Sequence, residues 1–274
     1  MKIIDLSVLV ENLPSEPMEI RVKRFDYYSG AKKFCRNVMW NKRLPLKLRL
    51  KNLFYYLSGK KRIRYTDFPD NAFLSLDVVT MPTHMGTHID APFHYGPSKY
   101  QPQAKTVEKL SLERFYRPGV RLDLRYKKPG DYIKVVDLQA ALQKIEYILK
   151  PDDIVLLWTG SDELWGKPQY FTHAPGMSRE ATEWLVNQGV YVIGTDTYGF
   201  DRPFFVMLSD FWRTGDNSHL WPAHFYGREQ EYIQIERLTN LVSLPDKNFT
   251  VICFPLKIKG LDASWVRAVA LVND

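Results

Sequence analysis

Cysteine is scarce in this chain, and long apolar runs are missing. The 274 residues include two cysteines, Cys35 and Cys253, and neither has a second cysteine or a histidine at ligand spacing. This excludes a disulfide-rich scaffold and a cysteine-based zinc site. No apolar stretch approaches the ~20 residues that cross a bilayer, so no membrane span is predicted. With few cysteines and no cleavable leader in MKIIDLSVLV, we expect a cytoplasmic protein.

Positive charge is concentrated in one stretch. Residues 21–64 contain fifteen Lys and Arg but one acid, Asp26, whereas the rest of the chain has 23 basic and 30 acidic residues. Basic and aromatic side chains together fit nucleic acid, an anionic membrane surface or an acidic protein partner. No nucleic-acid-binding motif accompanies the charge, so we expect no nucleic-acid partner. An anionic membrane surface and an acidic protein partner stay open, as do a substrate-covering lid and a pair of surface helices with solvated lysines and a buried apolar face. Pro45 interrupts helical hydrogen bonding, so one continuous helix across 31–58 is not expected.

Histidine is also rare, and its distribution is informative. Three of the six histidines and one aspartate fall within the run THMGTHIDAPFHY, at His84, His88, Asp90 and His94. A helix would turn Asp90 away from the first two histidines, and four residues of straight strand span about 13 Å, too far for two ligands of one ion. The segment must therefore bend, and we predict a strand, a tight turn at Gly86 and a short extended piece folded around a metal.

These residue types point to a particular chemistry. Imidazole and carboxylate ligands without thiolate suit zinc, manganese or iron. A bound ion can lower the pKa of its water from 15.7 to about 7, and an imidazole with an ordinary pKa of about 6.5 can transfer protons. The segment therefore predicts a hydrolytic centre, with His94 either as the proton-transfer residue or as a residue that orients the carboxylate.

The histidine-rich segment resembles the motif of a known family. HMGTHIDAPFH fits the pattern H-x-G-T-H-x-D-x-P-x-H of the cyclase family of metal-dependent enzymes, which includes kynurenine formamidase (arylformamidase), isatin hydrolase and proteins described as polyketide cyclases. Segments 175–201, 224–245 and 254–271 agree with the family in order along the chain. The resemblance covers about residues 1–10 and 73–274.

The resemblance implies a fold and a set of ligands. It implies one α/β domain over residues 1–274 with a mixed β-sheet core and flanking helices, a swivelling β/β/α-like fold, interrupted by a basic, aromatic-rich insertion at about 11–72. Family members are usually oligomeric, so a homo-oligomer (dimer or tetramer) is expected, holding one or two divalent ions, zinc or manganese. The implied metal ligands are His84, His88 and Asp90, with His224 and Glu236 at a second position, and His94 is the implied proton-transfer residue.

The expected function follows from the same resemblance. It is hydrolysis of an amide, formamide or lactam-like bond in an aromatic small molecule through metal-activated water, with His94 as general acid/base and Tyr198, Trp221 and Tyr226 as candidate substrate-binding residues. The alternative is metal-assisted ring closure of a polyketide-like substrate, free or bound to an acidic carrier protein. Trp265, where the formamidases tend to have proline, and the basic stretch favour that alternative. A non-catalytic binding protein is disfavoured by the intact ligand set.

The remaining pattern predicts alternating strands and helices. Continuous apolar runs at 153–160 and 190–197 indicate strands buried on both faces. Asp137 is a candidate N-cap for one helix, and Ser178 and Gly189 mark the start and stop of another. Further strands are predicted at 1–10, 74–81, 119–126, 250–258 and 266–272.

Overall fold

A computed structural model describes residues 1–16, 18–97 and 99–273. The strands are β1 (Lys2–Asp5), β2 (Arg21–Phe25), β3 (Leu76–Thr80), β4 (His88–Asp90), β5 (Tyr116–Asp123), β6 (Tyr132–Ile133), β7 (Ile154–Trp158), β8 (Gly176–Met177), β9 (Val192–Thr195), β10 (Ile233–Glu236), β11 (Phe249–Ile252), β12 (Ala263–Trp265) and β13 (Val269–Val272). The α-helices are α1 (Tyr27–Met39), α2 (Leu46–Leu57), α3 (Val135–Lys144), α4 (Arg179–Asn187), α5 (Phe204–Thr214) and α6 (Pro222–Tyr226). These elements form two compact units, one of residues 1–19 and 82–274 and one of residues 20–81.

The first unit contains a nine-stranded mixed sheet that curls on itself. Its strand order is β1-β13-β11-β5-β7-β9-β10-β4-β12, with β5, β7, β9 and β10 parallel and the outer pairs antiparallel. β12 and β13 are seven strand spacings apart in that order, about 34 Å in a flat sheet. The three residues between them span about 14 Å at most, so the sheet must curl. An antiparallel bridge between Ser7, just after the edge strand β1, and Leu238, just after β10, joins distant parts of the sheet order.

The buried strands explain the continuous apolar runs. All five residues of β7 are buried. Ile154, Leu156 and Trp158 belong to one hydrophobic cluster, and Val155 and Leu157 belong to a second cluster that also contains residues of α3 and α4. Successive residues therefore point into two different cores, as the alternation of a strand requires. The predicted α/β fold with a mixed sheet and flanking helices is confirmed.

Helix boundaries follow local capping. The Ser178 hydroxyl accepts a hydrogen bond from the backbone of Ala181 and caps α4, which ends just before Gly189, where φ is +86°. The prediction for Asp137 was wrong in position. α3 begins at Val135, and the Asp137 carboxylate reaches back from its third position to accept the N–H of Lys134.

The second unit pairs β2 with β3 and packs α1 beside α2. Pro45 directly precedes α2, so the two helices are separate, as predicted. α1 buries three of its residues but α2 buries none, so the expectation of a buried apolar face is wrong for α2. At 13 and 12 residues these are the longest helices described, and no helix over the described residues is long and apolar enough to cross a membrane. The lid and the insertion at about 11–72 stay predictions.

Candidate active site

Strand β4 carries the centre of the site. His88 and Asp90 are two positions apart, so their side chains leave the same face of the strand. In the antiparallel pairing of β4 with β10, His88 lies opposite Glu236. Residues directly opposite in such a pair share a face. The register of the sheet therefore brings Glu236 beside the histidine motif, although it lies far along the chain.

His84 and His94 approach from the two ends of β4. His84 precedes a turn at Gly86, where φ is +65° and an added Cβ would lie 2.4 Å from a methyl of Val10. The turn places His84 Nδ1 3.3 Å from His88 Nε2. His94 lies on a short 3₁₀ helix, Pro92–Tyr95, with its ring centroid 4.2 Å from that of His84. The predicted bend is present, but its elements differ from the prediction. His84 lies in the turn and not in a strand, and a 3₁₀ helix takes the place of the short extended piece.

His224 enters from α6 and is held by Asp201. Oδ2 of Asp201 lies 2.6 Å from His224 Nδ1, and the same carboxylate accepts the backbone N–H groups of Ala223 and His224 at the start of the helix. This contact points the other ring nitrogen inward. His224 Nε2 lies 3.8 Å from Asp90 Oδ2 and 3.9 Å from Glu236 Oε1.

Asp90 is the common neighbour of these groups. Its Oδ1 lies 2.9 Å from His84 Nδ1 and 3.4 Å from His88 Nε2. The residue is fully buried, and neither carboxylate oxygen has a hydrogen-bond partner with suitable geometry among the described residues. Burying a carboxylate without hydrogen bonds is costly unless a cation is nearby. Oxygen and imidazole nitrogen are donors that a divalent ion accepts, so the residues present fit a metal.

Among the residues that the structure describes, three sets of side chains have ligand atoms within 4.8 Å of one another. They are His84 with His88 and Asp90, Asp90 with His94 and His224, and His84 with His94 and Asp262. His88 is further arranged as a ligand, because its Nδ1 lies 2.8 Å from the carbonyl oxygen of Gly86. A proton donated to that carbonyl leaves the Nε2 lone pair facing the cluster.

The carboxylates control the protonation of two histidines. Burial opposes protonation of His84, but the Asp90 carboxylate 2.9 Å from its Nδ1, with a contribution from Asp262, outweighs burial and raises the pKa of His84 to about 9. Burial likewise opposes the charged form of His224, and Asp201 and Asp90 together raise its pKa to about 10. Burial alone would raise the pKa of Asp90, yet the neighbouring imidazoles hold it well below the ordinary value. Asp90 is therefore an anion throughout the neutral range.

Burial dominates at the other three groups. It lowers the pKa of His88 to about 3 against the attraction of Asp90, and it also lowers the pKa of His94. Burial, followed by repulsion from Asp90, raises the pKa of Glu236 to about 7. Both imidazoles are therefore neutral near pH 7, which is the form that binds a metal or accepts a proton.

Asp262 is a site residue that sequence reasoning missed. Its Oδ2 lies 3.1 Å from His84 Nε2 and 3.5 Å from His94 Nδ1. It directly precedes β12, whose residue Ala263 pairs with Asp90. Asp262 lies in the segment 254–271, which resembles the family in sequence, but only the β4–β12 register reveals that it contacts two motif histidines. Arg202, the sequence neighbour of Asp201, pairs with Asp210 at 2.8 Å.

An aromatic cavity borders His224. Its volume is about 330 Å³, and its aromatic lining consists of Phe171, Tyr198, Phe200, Phe204 and Trp221. Two of the three predicted substrate-binding residues, Tyr198 and Trp221, thus lie on its wall. Tyr226 does not line this cavity, because it is 3% exposed and packs against Tyr232 in the second core cluster.

A buried ion pair supports the cavity wall and the metal turn. Arg237 donates to both carboxylate oxygens of Glu16, at 2.6 and 2.8 Å, and both side chains are 3% exposed. Glu16 also accepts the N–H of Gly86 at 3.3 Å, and the Arg237 guanidinium lies 4.1 Å from the Tyr198 ring centroid. One pair therefore links the N-terminal segment, the turn after His84 and the aromatic wall.

Comparison with known proteins places the chain in a family. The model of the family described as "Putative cyclase" matches residues 4–202. The chain is 26% identical over 212 residues to isatin hydrolase of Roseibium aggregatum, covering 74% of this chain and 77% of that protein. It is 27% identical over 206 residues to kynurenine formamidase of Salinibacter ruber, covering 73% and 81%.

A solved structure agrees at the level of the fold. The crystal structure of an isatin hydrolase bound to the product analogue thioisatinate has a TM-score of 0.71 to this chain at 19% identity, covering 100% of this chain and 93% of the other. The family match extends over well more than half of the residues and confirms the resemblance carried by HMGTHIDAPFH. The chain belongs to the cyclase family.

Proposed function

We propose that this chain is a metal-dependent hydrolase that cleaves an amide, formamide or lactam-like bond of an aromatic small molecule. The observation that carries the proposal is the buried Asp90 carboxylate, which has no hydrogen-bond partner of suitable geometry among the described residues and is surrounded by ring nitrogens of His84, His88 and His224. The names of two relatives, isatin hydrolase and kynurenine formamidase, support a hydrolytic reaction on such a compound.

The metal would be held by residues already assembled. His84, His88 and Asp90 would hold one divalent ion, and Asp90, His224 and Glu236 would hold a second. We propose zinc or manganese, because both accept mixed imidazole and carboxylate ligands. When bound, such an ion supplies a Lewis acid and lowers the pKa of a coordinated water.

His94 would be the general acid/base. Its side chain is 29% exposed, so it is reached from outside while its ring lies beside the His84 and His224 rings, with centroids at 4.2 and 5.5 Å. The Asp262 carboxylate beside Nδ1 favours a proton on that nitrogen and leaves Nε2 free to exchange one. His94 would accept the proton of the attacking water and return it to the departing nitrogen of the substrate.

The aromatic cavity beside His224 would hold the substrate. Its volume of about 330 Å³ is near the lower end for ligand pockets, so a substrate of one or two rings fits better than a long chain. Tyr198 and Trp221 present ring faces and edges that can pack on an aromatic substrate. Tyr226 lies away from this wall, and we propose no substrate contact for it.

Ring closure remains the alternative reaction, and one argument for it is weakened. The indole N–H of Trp265 donates to the carbonyl oxygen of Pro82 at 2.9 Å, so this side chain ties an edge strand to the segment before the metal motif. Its presence at a position where formamidases tend to have proline thus has a structural reason. It does not favour cyclisation over hydrolysis.

Turnover in isotopic water tests the proposal. The protein is stripped with a chelator, reloaded with zinc or manganese, and incubated with N-formylkynurenine, isatin and simple aryl amides in H₂¹⁸O. We expect turnover by the loaded form only, with ¹⁸O in the product acid. A His94→Ala variant should lose activity, and a variant of the exposed histidine, His173→Ala, should keep it. A product without solvent oxygen would support ring closure instead.

A further inference from the structure

Helix α2 presents an apolar stripe to solvent. Leu46, Leu50, Phe54 and Leu57 recur at intervals of three or four residues and share one face of the helix. Their exposed fractions are 57%, 52%, 64% and 72%, and no residue of this helix is buried. Away from the stripe, Asn52, Tyr55 and Tyr56 are half-buried, whereas Leu48 is 45% exposed. A contiguous row of large exposed apolar side chains marks an interaction surface.

The stripe is flanked by positive charge alone. Lys47 and Lys51 each follow a stripe residue by one position, so they line one side of it, and both are exposed. Arg43 and Lys60 are exposed just beyond the two ends of the helix. From residue 27 to residue 66 the chain contains no acidic residue. Whatever covers the stripe must therefore accept apolar side chains and lysines together, and should carry negative charge.

We infer that α2 binds in the plane of an anionic lipid surface. Twelve helical residues are about 18 Å long, too short to cross a bilayer but suited to lie at its boundary. The leucine and phenylalanine side chains enter between the headgroups, and the lysines extend to the lipid phosphates. The inference goes beyond the proposed hydrolase and does not depend on it.

Charge disfavours a second copy of the chain as the occupant. A symmetric pair would bring the same basic surface, with Lys47 and Lys51, from both copies into one interface that contains no acidic residue of α2, and like charges across an interface are unfavourable. An acidic protein would satisfy the lysines, but the centres of protein interfaces are depleted in lysine and require a fixed register. A lipid surface accepts apolar side chains and lysines in any register, because its charged headgroups and the apolar acyl region beneath them extend over the whole surface.

Vesicle flotation of the full-length protein tests the inference. Vesicles of phosphatidylcholine alone are compared with vesicles that also contain phosphatidylserine, at low and high salt. We expect binding to the anionic vesicles only, weakening with salt. Leu50→Glu/Phe54→Glu and Lys47→Glu/Lys51→Glu should each reduce binding more than about tenfold. Two matched controls lie on the other unit: Ile148→Glu, at a side chain that is 87% exposed, and the double variant Lys128→Glu/Lys150→Glu. Both controls should bind vesicles as the unchanged protein does.

Two results would overturn the inference: no flotation of the unchanged protein, or equal flotation of the α2 variants and the controls. Failure of the unchanged protein to float would exclude lipid. A fall in molar mass for Leu50→Glu/Phe54→Glu, measured by light scattering, would then identify a second copy as the occupant, and an unchanged mass would favour an acidic protein. Equal flotation of the α2 variants and the controls would place lipid binding elsewhere. Circular dichroism should be unchanged in every variant, since the substituted side chains are exposed, and turnover of a soluble substrate should be unaffected.

Discussion

The Asp201 carboxylate lies 2.6 Å from His224 Nδ1 and, at the same time, caps the first turn of α6 through the N–H of Ala223. The helix and its histidine are thus oriented by one side chain. The contact at Nδ1 fixes the orientation of the ring, so that Nε2 faces Asp90. Asp201 is therefore a positioning residue for the candidate metal centre.

Replacing Asp201 should weaken metal binding without removing a ligand. Asp201→Asn loses the charge that orients His224, and loss of such a contact typically reduces metal affinity about 10–100-fold. Competition with a chromophoric chelator measures the effect. Asp210→Asn is the matched control, because Asp210 pairs with Arg202 and Arg213 and contacts no histidine. Equal metal affinities for the two variants would contradict the assigned role.

Replacing His94 should separate metal binding from turnover. His94→Ala removes the proposed proton carrier, which should lower kcat by about 10²–10⁴. Metal content should remain near that of the unchanged protein, since His84, His88 and Asp90 are intact. Steady-state kinetics together with elemental analysis check both parts. An active His94→Ala protein, or one that has lost its metal, would show that His94 has another role.

Breaking the buried Glu16–Arg237 pair should destabilise the fold. Glu16→Ala leaves a 3% exposed guanidinium side chain without its carboxylate, and removing one partner of a buried pair costs about 3–5 kcal/mol of unfolding free energy. Urea unfolding measures this loss. Asp5→Ala breaks the exposed pair with Arg267 and should cost far less. Similar losses in the two variants would mean that burial of the first pair has no energetic consequence.

Stability should fall with rising pH because of Asp196. Burial, reinforced by Asp162, raises its pKa from 3.8 to about 7, although Thr159 and Gly160 donate hydrogen bonds to it. Below the unfolded pKa both states are protonated. Between pH 3.8 and about 7, Asp196 is ionised in the unfolded chain but protonated in the folded chain. The free energy of unfolding therefore falls as pH rises through this range and levels off above about pH 7.

The Asp196→Asn variant isolates this effect. At about 1.4 kcal/mol per pKa unit, Asp196 should reduce the free energy of unfolding by roughly 4 kcal/mol between about pH 4 and pH 7. Urea unfolding across that range should show a correspondingly smaller decline for Asp196→Asn than for the unchanged protein. Parallel curves for the two proteins would indicate that Asp196 is ionised in the folded state at low pH.

Local patterns predicted the parts of the site that lie close together in sequence. The spacing of the candidate ligands required a bend in the motif, with the turn predicted at Gly86, and the bend is present around β4. The apolar run at 153–160 predicted a strand buried on both faces, and β7 has two cores because the sheet is covered on both sides. The Ser178 cap follows from short-range hydrogen bonding alone.

Sheet register determines the parts that local patterns did not predict. Asp262 contacts His84 and His94 only because β12 pairs with β4, and that pairing requires the whole sheet to curl. The partner of Asp201 depends on where α6 begins, not on its neighbour Arg202. For α2, periodicity predicted an apolar side correctly but not that it faces solvent, because burial depends on the neighbours of a helix.

The central claim is that Asp90 and the imidazoles around it converge on a divalent ion. Elemental analysis of the purified protein, after loading with zinc or manganese and extensive dialysis, tests it most directly alongside Asp90→Asn. We expect one or two ions per chain for the unchanged protein and a loss of bound metal for the variant, with both proteins folded by circular dichroism. A folded, unchanged protein that retains no ion under any loading condition would contradict it.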